Sequence, residues 1–190
     1  MAYNQVVCSD GNLVSPTVMV IGEAPGKDEV FWRKPFVGKS GKYLRATLNE
    51  FGLDGSNTVI TNVIPCRPQD NKFPKDDDLI RSCAELWLFE EISILQPKAI
   101  LVVGGQALKI LFGESSITSC RGVWRSLGRG DGVKCLPTYH PSYVLRKKYT
   151  KNGYAIQESF RMDIMKAAVF AGVKLPFQME SEDSSSFTSA

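Results

Sequence analysis

Two segments of the chain are apolar without a break: Thr17-Val-Met-Val-Ile21 and Ala99-Ile-Leu-Val-Val103. Continuous rather than alternating hydrophobicity is the pattern of parallel strands covered on both faces. Thr58-Val-Ile-Thr-Asn62 and Val133-Lys-Cys-Leu136 read as two further strands. Between the strands the period becomes helical. Leu44, Leu48 and Phe51 recur at i, i+4 and i+7, and Gly52 supplies a stop. Asp76-Asp-Asp78 opens a second helix, where acids complement the dipole, with Leu79, Cys83, Leu86 and Glu90 down one side and Pro97 as its end. Gln106 to Phe112 makes a third helix, and Gln157 to Phe170 a last one with Phe160, Ile164 and Ala168 in line. This alternation predicts an α/β fold, a three-layer α/β/α sandwich around a central four-stranded parallel sheet. In such sheets ligands bind beyond the carboxyl ends of the strands, so the chemistry is expected in the segments that follow them.

Composition narrows the class. With 190 residues, 43% hydrophobic and 23% charged, the chain has the make-up of one globular domain with a real core. No apolar run approaches the ~20 residues that span a bilayer, and the N-terminus lacks the basic and apolar regions of a signal peptide. A cytoplasmic protein without membrane contact is expected. Five cysteines at irregular spacing make a poor disulfide framework and point to reduced thiols. Net charge is +3, but the last 14 residues hold three acids and no base, which leaves +6 on residues 1–176. A basic body suits a polyanionic partner. The domain is therefore placed at 1–176, with 177–190 as a disordered Ser-rich acidic tail.

Each strand is followed by a distinctive segment. Gly22-Glu-Ala-Pro-Gly26 sets one carboxylate, Glu23, at the mouth of the sheet, where a solvated turn is the plain alternative. Asn62 ends the second strand, placed either to offer a donor and an acceptor side by side or to close an Asx-turn. Val103-Gly-Gly-Gln-Ala107 is a glycine turn into a helix start, either a phosphate-contacting amide site through Gly104 and Gln106 or a tight turn alone. His140, the only histidine, stands past the last strand in His140-Pro-Ser-Tyr-Val-Leu-Arg-Lys-Lys148, an apolar wedge followed by cations. Arg33-Lys-Pro-Phe-Val-Gly-Lys-Ser40 looks like a phosphate-binding loop but has Arg33 where that loop needs glycine, and no strand runs directly into it. Nucleotide hydrolysis is set aside.

Taken in order, GEAPG, PFVG, TNVIPCRP and HPSYVLR resemble the uracil-DNA glycosylase superfamily, most closely its iron-sulfur family 4, over roughly residues 6–172. The step from Gly22 to Pro35 matches that family's spacing. The resemblance implies DNA containing uracil as substrate, a monomer, and a repair glycosylase that flips the base out and leaves an abasic site. A module of the same fold that binds uracil or DNA without cutting is the alternative. By motif, Glu23 corresponds to the water-activating carboxylate and His140 to the imidazole at uracil O2. Phe36 corresponds to the stacking aromatic, Asn62 to the amide reading N3 and O4, and Glu29 to the side chain that crowds C5, with Ala24 also against the base. Ser142, Arg146 and Lys147 fall on the DNA-binding segment, with Tyr143, Val144 or Leu145 as its wedge. Arg33 replaces a usual glycine and, with Lys34 and Lys39, adds charge for phosphate.

The family's [4Fe–4S] cluster takes four cysteines. Cys66 and Cys83 match the later two, but the earlier CxxC pair has no counterpart, and Cys8 stands at an ordinary strand position. No cofactor is expected unless the missing ligands come from elsewhere, and the pair then reads as small buried hydrophobes.

Overall fold

The structure, a computed structural model, describes residues 6–128 and 132–176. The segment 177–190, expected to be a disordered tail, lies outside the described residues.

Four strands, β2 (Val18–Gly22), β3 (Thr58–Asn62), β4 (Ala99–Val103) and β6 (Lys134–Thr138), run parallel, as expected. Two strands of two residues each, β1 (Asp10–Gly11) and β5 (Arg125–Ser126), add antiparallel edges to make a six-stranded sheet in the order β1-β3-β2-β4-β6-β5. The edge strands are too short to leave a periodic signal. β6 runs on through Pro137 instead of stopping at Leu136. Pro137 O accepts from Gly122 N–H on the outer side, so its nitrogen also faces away from β4 and the missing N–H breaks no rung of the ladder.

Helices cover both faces. On one lie α2 (Lys39–Glu50), α7 (Pro141–Lys147) and α8 (Gly153–Phe170), packing Leu44, Leu48, Val144, Phe160 and Ile164 against Val18, Val20 and Leu101. On the other lie α3 (Asp77–Ala84), α4 (Glu90–Leu95), α5 (Gly105–Phe112) and α6 (Ile117–Cys120), burying Met19, Ile21, Ile100 and Val102. Alternate residues of β2 and β4 thus enter opposite cores, which is why both strands are apolar at every position. α1 (Lys27–Trp32) sits outside both cores, with no buried residue.

The second helix departs from its expected face. Leu79 and Leu86 are 63% and 81% exposed, while Ile80, Ala84, Leu88 and Leu95 are buried. Two apolar stripes run along this segment, and a five-residue π turn at Glu85–Phe89 joins α3 to α4. The stripe that reaches the sheet is set by tertiary packing rather than by the period.

The four parallel strands end level: Gly22 pairs with Asn62, and Val103 with Thr138. From β2 the chain leaves toward α2 on one face, and from the adjacent β4 toward α5 on the other. Such a divergence opens a crevice at the strand ends.

Candidate functional site

In that crevice Ala24, Gly26, Glu29, Phe36, Ser40, Asn62 and His140 enclose a cavity of about 160 Å³. That is below the 300–1,000 Å³ of pockets for drug-sized ligands and suits a single flat ring. Five predicted residues, Ala24, Glu29, Phe36, Asn62 and His140, therefore share one wall system. Glu23 stands beside it at the end of β2, half-buried but outside the lining, and burial holds its carboxyl above the usual carboxylate range. Gly26 and Ser40 are lining residues that sequence reasoning did not single out. Ser40 lies two positions past PFVG, inside the segment dismissed as a phosphate loop.

Asn62 is fixed by the ladder, buried, and its carboxamide has no hydrogen-bond partner among the described residues. Beside it Gly22 has a steric purpose. A Cβ there would lie 2.4 Å from Phe36 Cζ and 2.6 Å from Asn62 Oδ1, so any side chain would displace both pocket groups.

His140 is the N-cap of α7. Its Nδ1 accepts from Ser142 N–H at 3.2 Å and lies 2.8 Å from Ser142 Oγ. An Nδ1 that accepts carries no proton in the neutral ring, so the proton sits on Nε2. Burial first, and then the positive charge of Arg146, lower the imidazole pKa from 6.5 to about 4, against a smaller upward pull from Glu29. At neutral pH this is an uncharged Nε2–H donor. Gly104, at φ +96°, lets β4 turn beneath the ring: a Cβ there would come within 3.1 Å of His140 Cβ. Behind the strand end, Thr138 Oγ1 and Arg121 Nε both donate to buried Asp163 at 2.9 Å, locking α8 to β6.

The Phe36 wall is a loop and is held differently. Phe36 adopts φ +54°, a strained conformation for an aromatic residue, and Arg33 adopts φ +51° three positions earlier. Glu29 grips the loop with its carboxylate, which accepts from Gly26 N–H at 3.1 Å, Val37 N–H at 3.2 Å and Gly38 N–H at 3.0 Å. The amides that would cradle a phosphate are thus already taken by a side chain of the same chain. From below, Arg45 donates to Phe36 O at 3.0 Å and to Pro35 O at 2.8 Å, and is itself anchored on Asp10 at 2.8 Å. The Phe36 ring ends 6.0 Å from that of His140, tilted by 34°.

The three wedge candidates, Tyr143, Val144 and Leu145, differ in where they lie. Val144 is 1% exposed and packs into the core, which removes it as a DNA-facing group. Tyr143 is half-buried against the same core, its ring 5.1 Å from Tyr139. Leu145 instead lines a second cleft with Ser142 and Arg146, beyond the pocket, and Arg146 and Lys147 are exposed at the end of α7. Gln106 sits half-buried in the first turn of α5, outside the pocket lining.

Cys66 and Cys83 are both half-buried, and Cys83 is pushed up by burial and by the nearness of Cys66. Cys120 donates to Glu114, and Cys135 is buried with its thiol pushed up to about 12. No group of three or more His, Cys, Asp or Glu among the described residues is arranged to hold a metal ion. Two adjacent thiols do not fit a cluster that takes four thiolates. Among the described residues no helix is long and apolar enough to cross a membrane.

Comparison with known proteins agrees with the geometry. The sequence model of the Uracil DNA glycosylase superfamily matches residues 8–161. A Type-4 uracil-DNA glycosylase of Thermotoga maritima is 34% identical over 167 residues, covering 87% of this chain and 82% of its own length. The Sulfurisphaera tokodaii protein of the same name is 38% identical over 137 residues, 67% of this chain and 60% of that one. The one from Saccharolobus solfataricus is 34% identical over 153 residues, 76% of this chain and 68% of that one.

Proposed function

The chain belongs to the uracil DNA glycosylase superfamily, and from that premise we propose that it removes uracil from DNA by hydrolysing the N1–C1′ bond of an everted nucleotide. A base inside a duplex is out of reach of any pocket, so the enzyme offsets a few kcal/mol of unstacking with contacts made only by the flipped base. Phe36 offers a face for stacking. The free Asn62 carboxamide matches the N3–H and O4 edge of uracil and leaves groups unpaired against cytosine, a mismatch that discriminates strongly.

Bond cleavage makes the sugar oxocarbenium-like and leaves negative charge on the uracil ring. On this reading the neutral Nε2–H of His140 donates to O2, where that charge gathers, and burial strengthens the bond because little water competes. Nothing has to rearrange, since Ser142 already fixes the ring. Glu23, in its carboxylate form, orients water toward C1′ and offsets the sugar's positive charge. None of the residues that line the pocket is an amine, which supports attack on C1′ by water rather than by a lysine, with the strand left intact after base loss. The enzyme acts as an intracellular monomer on DNA.

The observation that carries this reading is the His140–Ser142 hydrogen bond, which makes a pocket imidazole a neutral donor. A labelled oligonucleotide with one uracil, incubated with the protein and then treated with alkali, tests it. Strand scission at the uracil after alkali only, and none with thymine in its place, is the expected result. Binding without scission would leave a non-cutting module.

A further inference from the structure

We propose that the exposed end of α1 is a platform for single-stranded DNA beside the pocket, on which unpaired bases flanking the everted nucleotide stack on Phe31 and Trp32 while phosphates lie along Lys39 and Lys42. Phe31 is 76% exposed and Trp32 65%, and their rings brace each other edge to face at 5.1 Å. Two adjacent large aromatics on the surface are costly unless something covers them. The fold does not ask for them, because α1 buries none of its residues.

Their surroundings say what covers them. A cleft of about 760 Å³ runs from Trp32 past Lys34 and Lys39 to Lys42, and Asp28 is the one acid in its lining. Lys34 is exposed but ion-paired with Asp10 at 3.3 Å, which leaves Lys39 and Lys42 as the exposed cations of this lining without an ion pair among the described residues. The cleft shares Asp28, Gly38 and Lys39 with a second one of about 540 Å³ that continues to Leu145 and Arg146. That second cleft in turn shares Glu29 and Ser40 with the pocket. A cationic track with aromatic rings at one end and the base pocket at the other fits an unpaired strand. Rings can stack only on bases whose faces are free, and a duplex hides its own. The direction of this track rests on the pocket being the glycosylase site; the platform's affinity for a single strand does not.

Fluorescence anisotropy of the full chain with a uracil-free 12-mer, single-stranded or paired, separates the possibilities. Phe31→Ser with Trp32→Ser is expected to weaken single-strand binding about tenfold and duplex binding less than twofold, the scale of one lost stack. Because neither residue is buried, the melting temperature should hold. Lys39→Gln with Lys42→Gln is expected to flatten the single-strand plot of log K against log salt by about 1.4, roughly 0.7 per cation. An aromatic double variant that binds the single strand within twofold of the parent, or loses both strands alike, overturns the platform. Uracil release is scored separately. Its absence together with the expected binding pattern would sink the glycosylase reading and leave the platform standing.

Discussion

The two walls of the pocket are built on opposite plans. Asn62 and His140 stand at the ends of β3 and β6, where the parallel ladder, the α7 cap and the Thr138–Asp163–Arg121 lock leave little freedom. Phe36 rides on a loop with left-handed residues at Arg33 and Phe36, held by Glu29 above and by the Asp10–Arg45 pair below. On the proposed reading, the rigid wall carries the groups that meet charge with fixed geometry. The strapped wall carries, on the same reading, the ring that stacks on the base. Stacking tolerates small displacements; a hydrogen bond to a developing anion does not.

If the rigid wall does the chemistry, its variants fail most severely. Asn62→Ala and His140→Ala should each lower single-turnover uracil release by at least ~10², the cost of one preorganised donor, with melting curves close to the parent. Near-normal turnover in both would erase the distinction between the walls. The next largest effect is on stability against acid. His140 titrates at 6.5 when exposed and at about 4 in the fold, so on acidification the unfolded chain takes up its proton first. Stability is therefore full above pH 6.5 and drains between 6.5 and about 4, by about 3 kcal/mol at ~1.4 kcal/mol per unit. The chain has one histidine, so a single imidazole resonance followed against pH reads the value directly. A midpoint near 6.5 would mean an open, hydrated ring and a soft wall.

The difference between the walls also decides what could be read in the sequence. Strands, glycine turns and the residues just past them are local, and the apolar runs at 17–21 and 99–103 placed the sheet and its carboxyl edge. Which stripe of α3 turns inward, and whether Val144 faces DNA or core, depend on packing partners far along the chain. The straps are equally silent: Asp10 and Arg45 are 35 residues apart, and nothing at either position announces the other. Glu29 was legible as a residue of the pocket, but not as the acceptor of three backbone amides from two loops.

The strapped wall predicts a milder and different failure. Arg45→Ala frees the carbonyls of Pro35 and Phe36 and lets the strained loop relax, which should lower kcat/KM about tenfold, mainly through KM. Arg45→Lys keeps a cation for Asp10 but not the planar fork that reaches two carbonyls, so it should restore only part of the loss. Full rescue by lysine would mean that charge alone, rather than the fork, sets the loop.

The smallest effect is expected at Cys66 and Cys83. Cys66 follows the rigid wall, four residues past Asn62, and its neighbour in space, Val6, closes a β-bridge onto it. If the ladder and the α7 cap suffice to hold that wall, neither thiol has a ligand to keep in place. Cys66→Ser with Cys83→Ser should then cost less than ~1 kcal/mol, the exchange of two half-buried thiols for hydroxyls, and leave uracil release within twofold. A chain in which these thiols anchored a cluster would instead lose its visible absorption and several kcal/mol on the same substitutions, since metal-binding free energy becomes folding free energy wherever a site organises the chain. Denaturant melts and an absorption spectrum of the parent and the double variant decide between them. Collapse of the variant would show that the segment after β3 depends on a bound group for its order, and the rigid wall would owe its geometry to that group rather than to the sheet.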